Sequence, residues 1–199
     1  TLSPDLGFLY NKNFQTKPFR NIVGINPSTV IEKHFIKSSI DYQDYLENLI
    51  IQLSNESSKI IIFPQSYREK ASDNIFNDVE IIKKLKNKIN LANVEFILED
   101  LDLNSLFKIY DEIDICITSR FHAMIMSMVT NKIPIVVGWN HKYKEVLNSV
   151  QLSELNLEIN QNLLDDTFNK YKDVSRNYSK YVNRLNTFKP DLTIAKEIS

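Results

Sequence analysis

Residues 114–144 read DICITSRFHAMIMSMVTNKIPIVVGWNHKYK. An apolar run over 113–117 passes into a polar elbow, Thr118-Ser119-Arg120-Phe121-His122. The apolar segment that follows, 123–129, is too long for one strand. Asn131-Lys132 interrupts it before a further apolar run over 133–137. The pattern predicts strand, helix, strand. Both strands are apolar on both faces, as in parallel sheets covered by helices on each side. The elbow then lies where the carboxyl end of a strand meets the amino end of a helix. Open α/β sheets bind their ligands at that edge, and unpaired helix N–H groups attract anions there. Arg120 and His122 fall in this first turn, with Ser119 as the expected N-cap.

Upstream of the elbow, strands alternate with helices. Residues 22–25 form the first predicted strand, ended by Asn26-Pro27-Ser28, because Pro27 cannot donate to a ladder and restricts Asn26. Residues 29–40 carry no clear pattern. Tyr42, Tyr45, Leu46, Leu49, Ile50 and Leu53 recur at helical spacing and predict a helix over 41–55. A strand over 59–63 ends at Pro64-Gln65-Ser66, again at the carboxyl edge. A polar approach from Asp73 leads to a helix over 75–89. Its Lys83, Lys84, Lys86 and Lys88 read as a solvated face favoured by the helix dipole. A strand over 94–98 and a short helix over 103–109, capped by Asp102, complete the approach. Asp111, Glu112 and Asp114 precede the amino end of a strand and read as boundary residues away from the ligand edge.

Downstream, 141–150 is predicted helical, 152–159 irregular, and 163–185 one long, weakly amphipathic helix. Pro190 ends that region, with a short helix expected over 192–198. The fold class is α/β: a doubly wound parallel sheet of about five strands with flanking helices and a helical carboxyl-terminal tail. Residues 1–20, punctuated by Pro4 and Pro18, read as a connection into a domain spanning 21–160, with the helices of 161–199 packing on it.

Composition narrows the function classes. At 199 residues with 43% apolar side chains, the chain can bury the core of one large domain. A net charge of −1 gives no general pull toward nucleic acid or an acidic membrane. No apolar run approaches the ~20 residues that span a bilayer, and the first residues have neither a basic start nor an apolar core, so no transmembrane segment or signal peptide is expected. The one cysteine, Cys116, excludes a disulfide framework within the chain and suits a cytoplasmic location. Inside a strand, nothing would stabilise its thiolate, so it reads as a small buried apolar residue. Three glycines exclude a Walker A loop and a GxGxxG fingerprint. No His, Cys or carboxylate cluster has metal-ligand spacing, and no cofactor or metal is expected.

The chemistry available at the elbow is that of anion recognition. Arg120 can grip a carboxylate or phosphate with two parallel N–H bonds. His122 can donate to the same anion or deliver a proton. An Arg-x-His at a helix start equally suits a cap plus a surface charge. Asn26, Gln65 and Ser66 end neighbouring strands and are candidates to line a cleft. His141 divides between a ligand contact and a helix start, with Lys142 beside it. His34, in the patternless stretch, reads as a surface histidine. Met124, Met126 and Met128 read as core filler.

Asp114, Ser119-Arg120-Phe121-His122-Ala123, Pro134, Gly138 and Lys142, in this order and spacing, resemble the carboxyl-terminal half of the polysaccharide pyruvyl transferase family. Ser3-Pro4-Asp5-Leu6-Gly7-Phe8-Leu9 resembles the segment joining that family's two halves, and Pro64-Gln65-Ser66 followed by Asp73 resembles another of its motifs. The resemblance implies two Rossmann-like domains facing across a cleft, similar to GT-B glycosyltransferases. It implies transfer of pyruvate from phosphoenolpyruvate to a sugar as a cyclic ketal in cell-surface glycan synthesis. Arg120 and His122 would contact phosphoenolpyruvate as catalytic residues. Ser119, Gln65, Ser66, Asn26, His141 and Lys142 would bind substrate. The expected partners are phosphoenolpyruvate, a sugar or glycan acceptor, and an amino-terminal domain supplying the opposite wall. Departures are visible: Asn26-Pro27-Ser28 stands where the family often has an arginine, Phe121 replaces leucine, Trp139 replaces tyrosine, and Lys132-Ile133 replaces a glycine before Pro134. Two other readings share the same residues: a GT-B glycosyltransferase using a nucleotide sugar, and a non-catalytic glycan- or partner-binding domain.

Overall fold

In the computed structural model, residues 17–66 and 77–186 are described. Three apolar strands run from Ile22 to Asn26 (β1), Lys59 to Ile62 (β2) and Val94 to Phe96 (β3). Three more run from Ile115 to Thr118 (β4), Ile133 to Val137 (β5) and Asn156 to Leu157 (β6). All pair in parallel in the order β3-β2-β1-β4-β5-β6. The chain builds outward from β1 through β2 to β3, then returns to the other side of β1 and builds outward again. The order therefore reverses between β1 and β4, the point at whose carboxyl edge open α/β sheets bind their ligands. In register, Asn26 lies opposite Thr118 at that point.

The four central strands, β1, β2, β4 and β5, are buried on both faces, as their continuous apolar runs require, whereas the edge strands β3 and β6 are only partly buried. Val23, Ile25, Ile60, Ile62, Ile115 and Ile117 face one core; Ile61, Phe63 and Cys116 face the other. The larger core is covered by α2 (Tyr42–Ser54), α3 (Asp78–Lys88), α7 (Leu163–Arg176) and α8 (Tyr178–Asn186). The smaller is covered by α4 (Leu103–Glu112). The helix after the elbow, α5 (Phe121–Val129), contributes to both, with Met124, Met126 and Met128 all buried. At the opposite end of the sheet, the buried Asp114 carboxylate accepts the backbone N–H groups of Arg20 (2.9 Å) and Ile22 (3.0 Å), fixing the entry into β1.

The structure differs from the sequence expectation in several places. The sheet has six strands, not about five: β6 lies within 152–159, which lacks a strand pattern because only two residues pair. A 3-10 turn, Ser153–Leu155, precedes it. The expected long helix over 163–185 is two helices, α7 and α8, parted at Asn177. Residues 29–40 contain a 3-10 turn (Thr29–Ile31) and α1 (Glu32–Lys37). The helix expected over 75–89 runs over Asp78–Lys88, with Asn77 as its cap. Asp41 and Asp102 cap α2 and α4, as side-chain acceptors from Asp44 and Ser105. After β5, α6 (His141–Ser149) closes the carboxyl edge. The expectations for Ser3–Leu9, Asp73, Pro190 and 192–198 lie outside the described residues. No helix among the described residues is long and apolar enough to cross a membrane.

Candidate active site at the sheet's switch point

Three strand ends are tied together beneath the elbow. Thr118 Oγ1 donates to Asn26 Oδ1 (3.0 Å), and Asn26 Nδ2 donates to the carbonyl of Phe63 (2.9 Å). The same Thr118 hydroxyl accepts the backbone N–H of Arg120 (3.0 Å) and so sets the start of α5. Arg120, not Ser119, occupies the N-cap position, and its own side chain makes no capping bond. The reason lies with Ser119: its hydroxyl is buried against the Tyr42 hydroxyl (3.3 Å), and its carbonyl accepts from the Tyr143 hydroxyl (2.9 Å). Burial pushes both phenols up to about 12. The space between Asn26, Tyr42, Thr118 and Ser119 is only about 10 Å³, too small for any ligand. Asn26 and Ser119 thus make hydrogen bonds within the strand edge.

Arg120 is held from the side. Its Nε donates to Asp78 Oδ2 (3.1 Å) and its Nη2 to Asp78 Oδ1, a fork-to-fork pair. Asp78 stands in the first turn of α3 and is fully buried. Its two oxygens also accept the backbone N–H groups of Thr29 (3.1 Å) and Ser66 (3.0 Å). One carboxylate thus gathers the ends of β1 and β2, the start of α3 and the guanidinium. The Arg120 side chain is 15% exposed, so one edge reaches the surface with its plane already fixed. Asp78 was not a candidate from sequence. An aspartate in a helix's first turn reads as a partner for the helix dipole, and its true partner is 42 residues away.

The polysaccharide pyruvyl transferase family pattern matches residues 1–141, about seven-tenths of the 199 residues. The chain belongs to the polysaccharide pyruvyl transferase family. It is thereby placed in a family of transferases, on a Rossmann-like α/β sheet. No curated protein matches the chain. The family match runs through the elbow and the end of β5 and stops at the first residue of α6.

Around this elbow the other sequence candidates separate. His122 lies one residue into α5 and is exposed at the carboxyl edge of the sheet, its ring 6.1 Å from that of Phe121. Lys142, in the first turn of α6, places Nζ 4.2 Å above the Phe121 ring. Arg120, His122 and Lys142 thus share one rim. Gln65 accepts from the Tyr110 hydroxyl (3.3 Å), and Ser66 donates its N–H to the Asp78 carboxylate while its carbonyl accepts the Asp78 N–H (3.0 Å); both follow the end of β2. His141 points away: it is 81% exposed and 4.0 Å from Glu145 on its own helix, which favours the helix-start reading. His34 is not a plain surface histidine. It lies on α1 and stacks on Trp139 at 4.8 Å. Among the described residues, no group of three or more His, Cys, Asp or Glu is placed to hold a metal ion.

Proposed function

We propose that the chain supplies the donor-binding side of a pyruvyl transferase that moves pyruvate from phosphoenolpyruvate onto two hydroxyls of a sugar as a ketal. The observation that carries this reading is the Arg120 guanidinium, fixed by buried Asp78 at the N-cap of α5, with exposed His122 two residues further along the same helix start. Phosphoenolpyruvate offers a carboxylate and a phosphate. The oriented guanidinium, the α5 N–H groups and Lys142 are donors of the right charge. Because Asp78 already holds the guanidinium plane, little side-chain ordering remains to be done on binding.

The reaction needs a proton at the methylene carbon and attack by a sugar hydroxyl at the adjacent carbon. Phosphate then leaves that carbon and the second hydroxyl closes the ring. Of the two hydroxyl protons, one restores the acid that protonated the methylene and the other departs with phosphate. His122 is the exposed group suited to that acid role, and Arg120 to the charge that builds on the leaving phosphate.

Thermal-shift and calorimetric titrations with phosphoenolpyruvate, UDP and a UDP-sugar test the assignment. Stabilisation by phosphoenolpyruvate, reduced in Arg120→Lys and His122→Gln, is the expected result. Arg120→Lys keeps the charge but not the fork, so it stays foldable beside Asp78. In the complete enzyme, His122→Gln should lower turnover by about 10²–10⁴-fold. A response to UDP with none to phosphoenolpyruvate overturns the reading in favour of a nucleotide-sugar transferase.

A further inference from the structure

Trp139 is the chain's one tryptophan, and it lies directly after Gly138 at the carboxyl end of β5. Its side chain is 38% exposed on the edge that carries Arg120 and His122, where a large apolar ring in water is otherwise a cost. The ring is nonetheless held in place. His34 stacks on it at 4.8 Å with 25° between planes, and Tyr143 meets it at 6.3 Å and 62°. Tyr143 in turn meets Phe121 edge-on at 5.6 Å, and Phe121 adjoins His122 at 6.1 Å. A continuous row of rings therefore leads from the supported indole to the histidine of the elbow. Burial, reinforced by Lys33 and Lys37, holds the His34 imidazole below its ordinary pKa, so it backs the indole as a neutral ring. Its Nε2 is buried without a hydrogen-bond partner among the described residues.

We propose that Trp139 is the stacking platform for the acceptor sugar. A pyranose offers a flat apolar C–H face and a rim of hydroxyls. The indole takes the face, and the row of rings sets the sugar's rim toward His122. His34 acts through the indole, as a positioning residue. A platform that is rigid before binding loses little entropy on contact. The role of that sugar as acceptor rests on the pyruvyl transfer reading; its binding to Trp139 does not.

As the only tryptophan, Trp139 reports on its own occupancy. Methyl hexopyranosides, titrated to about 100 mM because a single stacked face binds weakly, should change its emission. Saturation transfer should pass from the protein to the C–H protons of one sugar face. Trp139→Ala should weaken the interaction by about tenfold, and Trp139→Tyr should retain it, with thermal stabilisation by phosphoenolpyruvate kept in both. Unchanged emission with every glycoside, transfer that persists in Trp139→Ala, or a response to uridine but not to glycosides would each overturn the platform. If glycosides respond and phosphoenolpyruvate does not stabilise the protein, the donor assignment falls and the platform stands. The reverse pattern overturns the platform alone.

Discussion

Asp78 is where the chain's charge arrangement is most exacting. A fully buried carboxylate is stable here because two backbone N–H groups and a guanidinium fork surround it. Asp78→Ala removes the acceptor of all these donors at once and leaves Arg120 mostly buried without its carboxylate. A loss of about 3–5 kcal/mol in urea unfolding is expected, against less than half of that for Arg120→Lys, which leaves Asp78 its N–H donors. Equal losses would show that the fork, not the carboxylate, organises the site. Arg120 was legible in the sequence because its neighbours fix its place: an apolar strand before it, an apolar helix after it. Asp78 was not, because its role depends on a contact between two helix starts that no local period records.

At the scale of elements, the long apolar runs told their own story and the short ones did not. β5 was readable to the residue because five buried positions admit one interpretation. β6 pairs through two half-buried residues, below what any alternation can reveal. The join between α7 and α8 was hidden for the opposite reason. Tyr171, Val174, Tyr178, Tyr181, Val182 and Leu185 keep an unbroken apolar stripe across Asn177, although the backbone leaves the helix there. Glycine can be as informative as an apolar run. At Gly24, in the middle of β1, a Cβ would come within 2.6 Å of Ile113 Cδ1 and 3.1 Å of Phe63 Cε1. The strand lies against the loop leading into β4, and both neighbours are fully buried. Gly24→Ala should cost about 1–3 kcal/mol by overpacking. Ile113→Val removes the nearest clashing atom, so the double variant should recover part of that loss. Strict additivity in the unfolding midpoints would refute the close approach.

Across the whole molecule, the phenols and the thiol are the groups that tie the core to the medium. Tyr42 and Tyr143 bind the elbow from both sides through Ser119, and burial raises each from 10.0 to about 12. Burial likewise pushes the Cys116 thiol from 9.0 to about 12. All three keep their protons in the folded state at a pH where the unfolded chain has lost them. Their contribution to stability is therefore complete below about pH 9, where the unfolded groups are still protonated, and is lost as pH rises toward the folded values near 12. Lys132 acts in the other direction. It is buried, and burial lowers its pKa, so the unfolded chain holds that proton longer and stability rises across its window below 10.5. Lys132 is opposed by these three acids and by Tyr45, Tyr110, Tyr171, Tyr178 and Tyr181, which burial also raises, each weighing up to about 1.4 kcal/mol per pH unit once its unfolded form ionises. The balance is a net fall. Urea midpoints should hold level from neutral pH to about 9 and then drop steeply to pH 11. Native phenolate absorbance from Tyr42 and Tyr143 should appear only with unfolding. Tyr42→Phe should make the drop shallower while lowering stability at neutral pH through loss of the Ser28 and Ser119 bonds. A midpoint unchanged between pH 8 and 11, or phenolate absorbance from both tyrosines at pH 10 in the folded protein, would mean that the elbow is open to water from below.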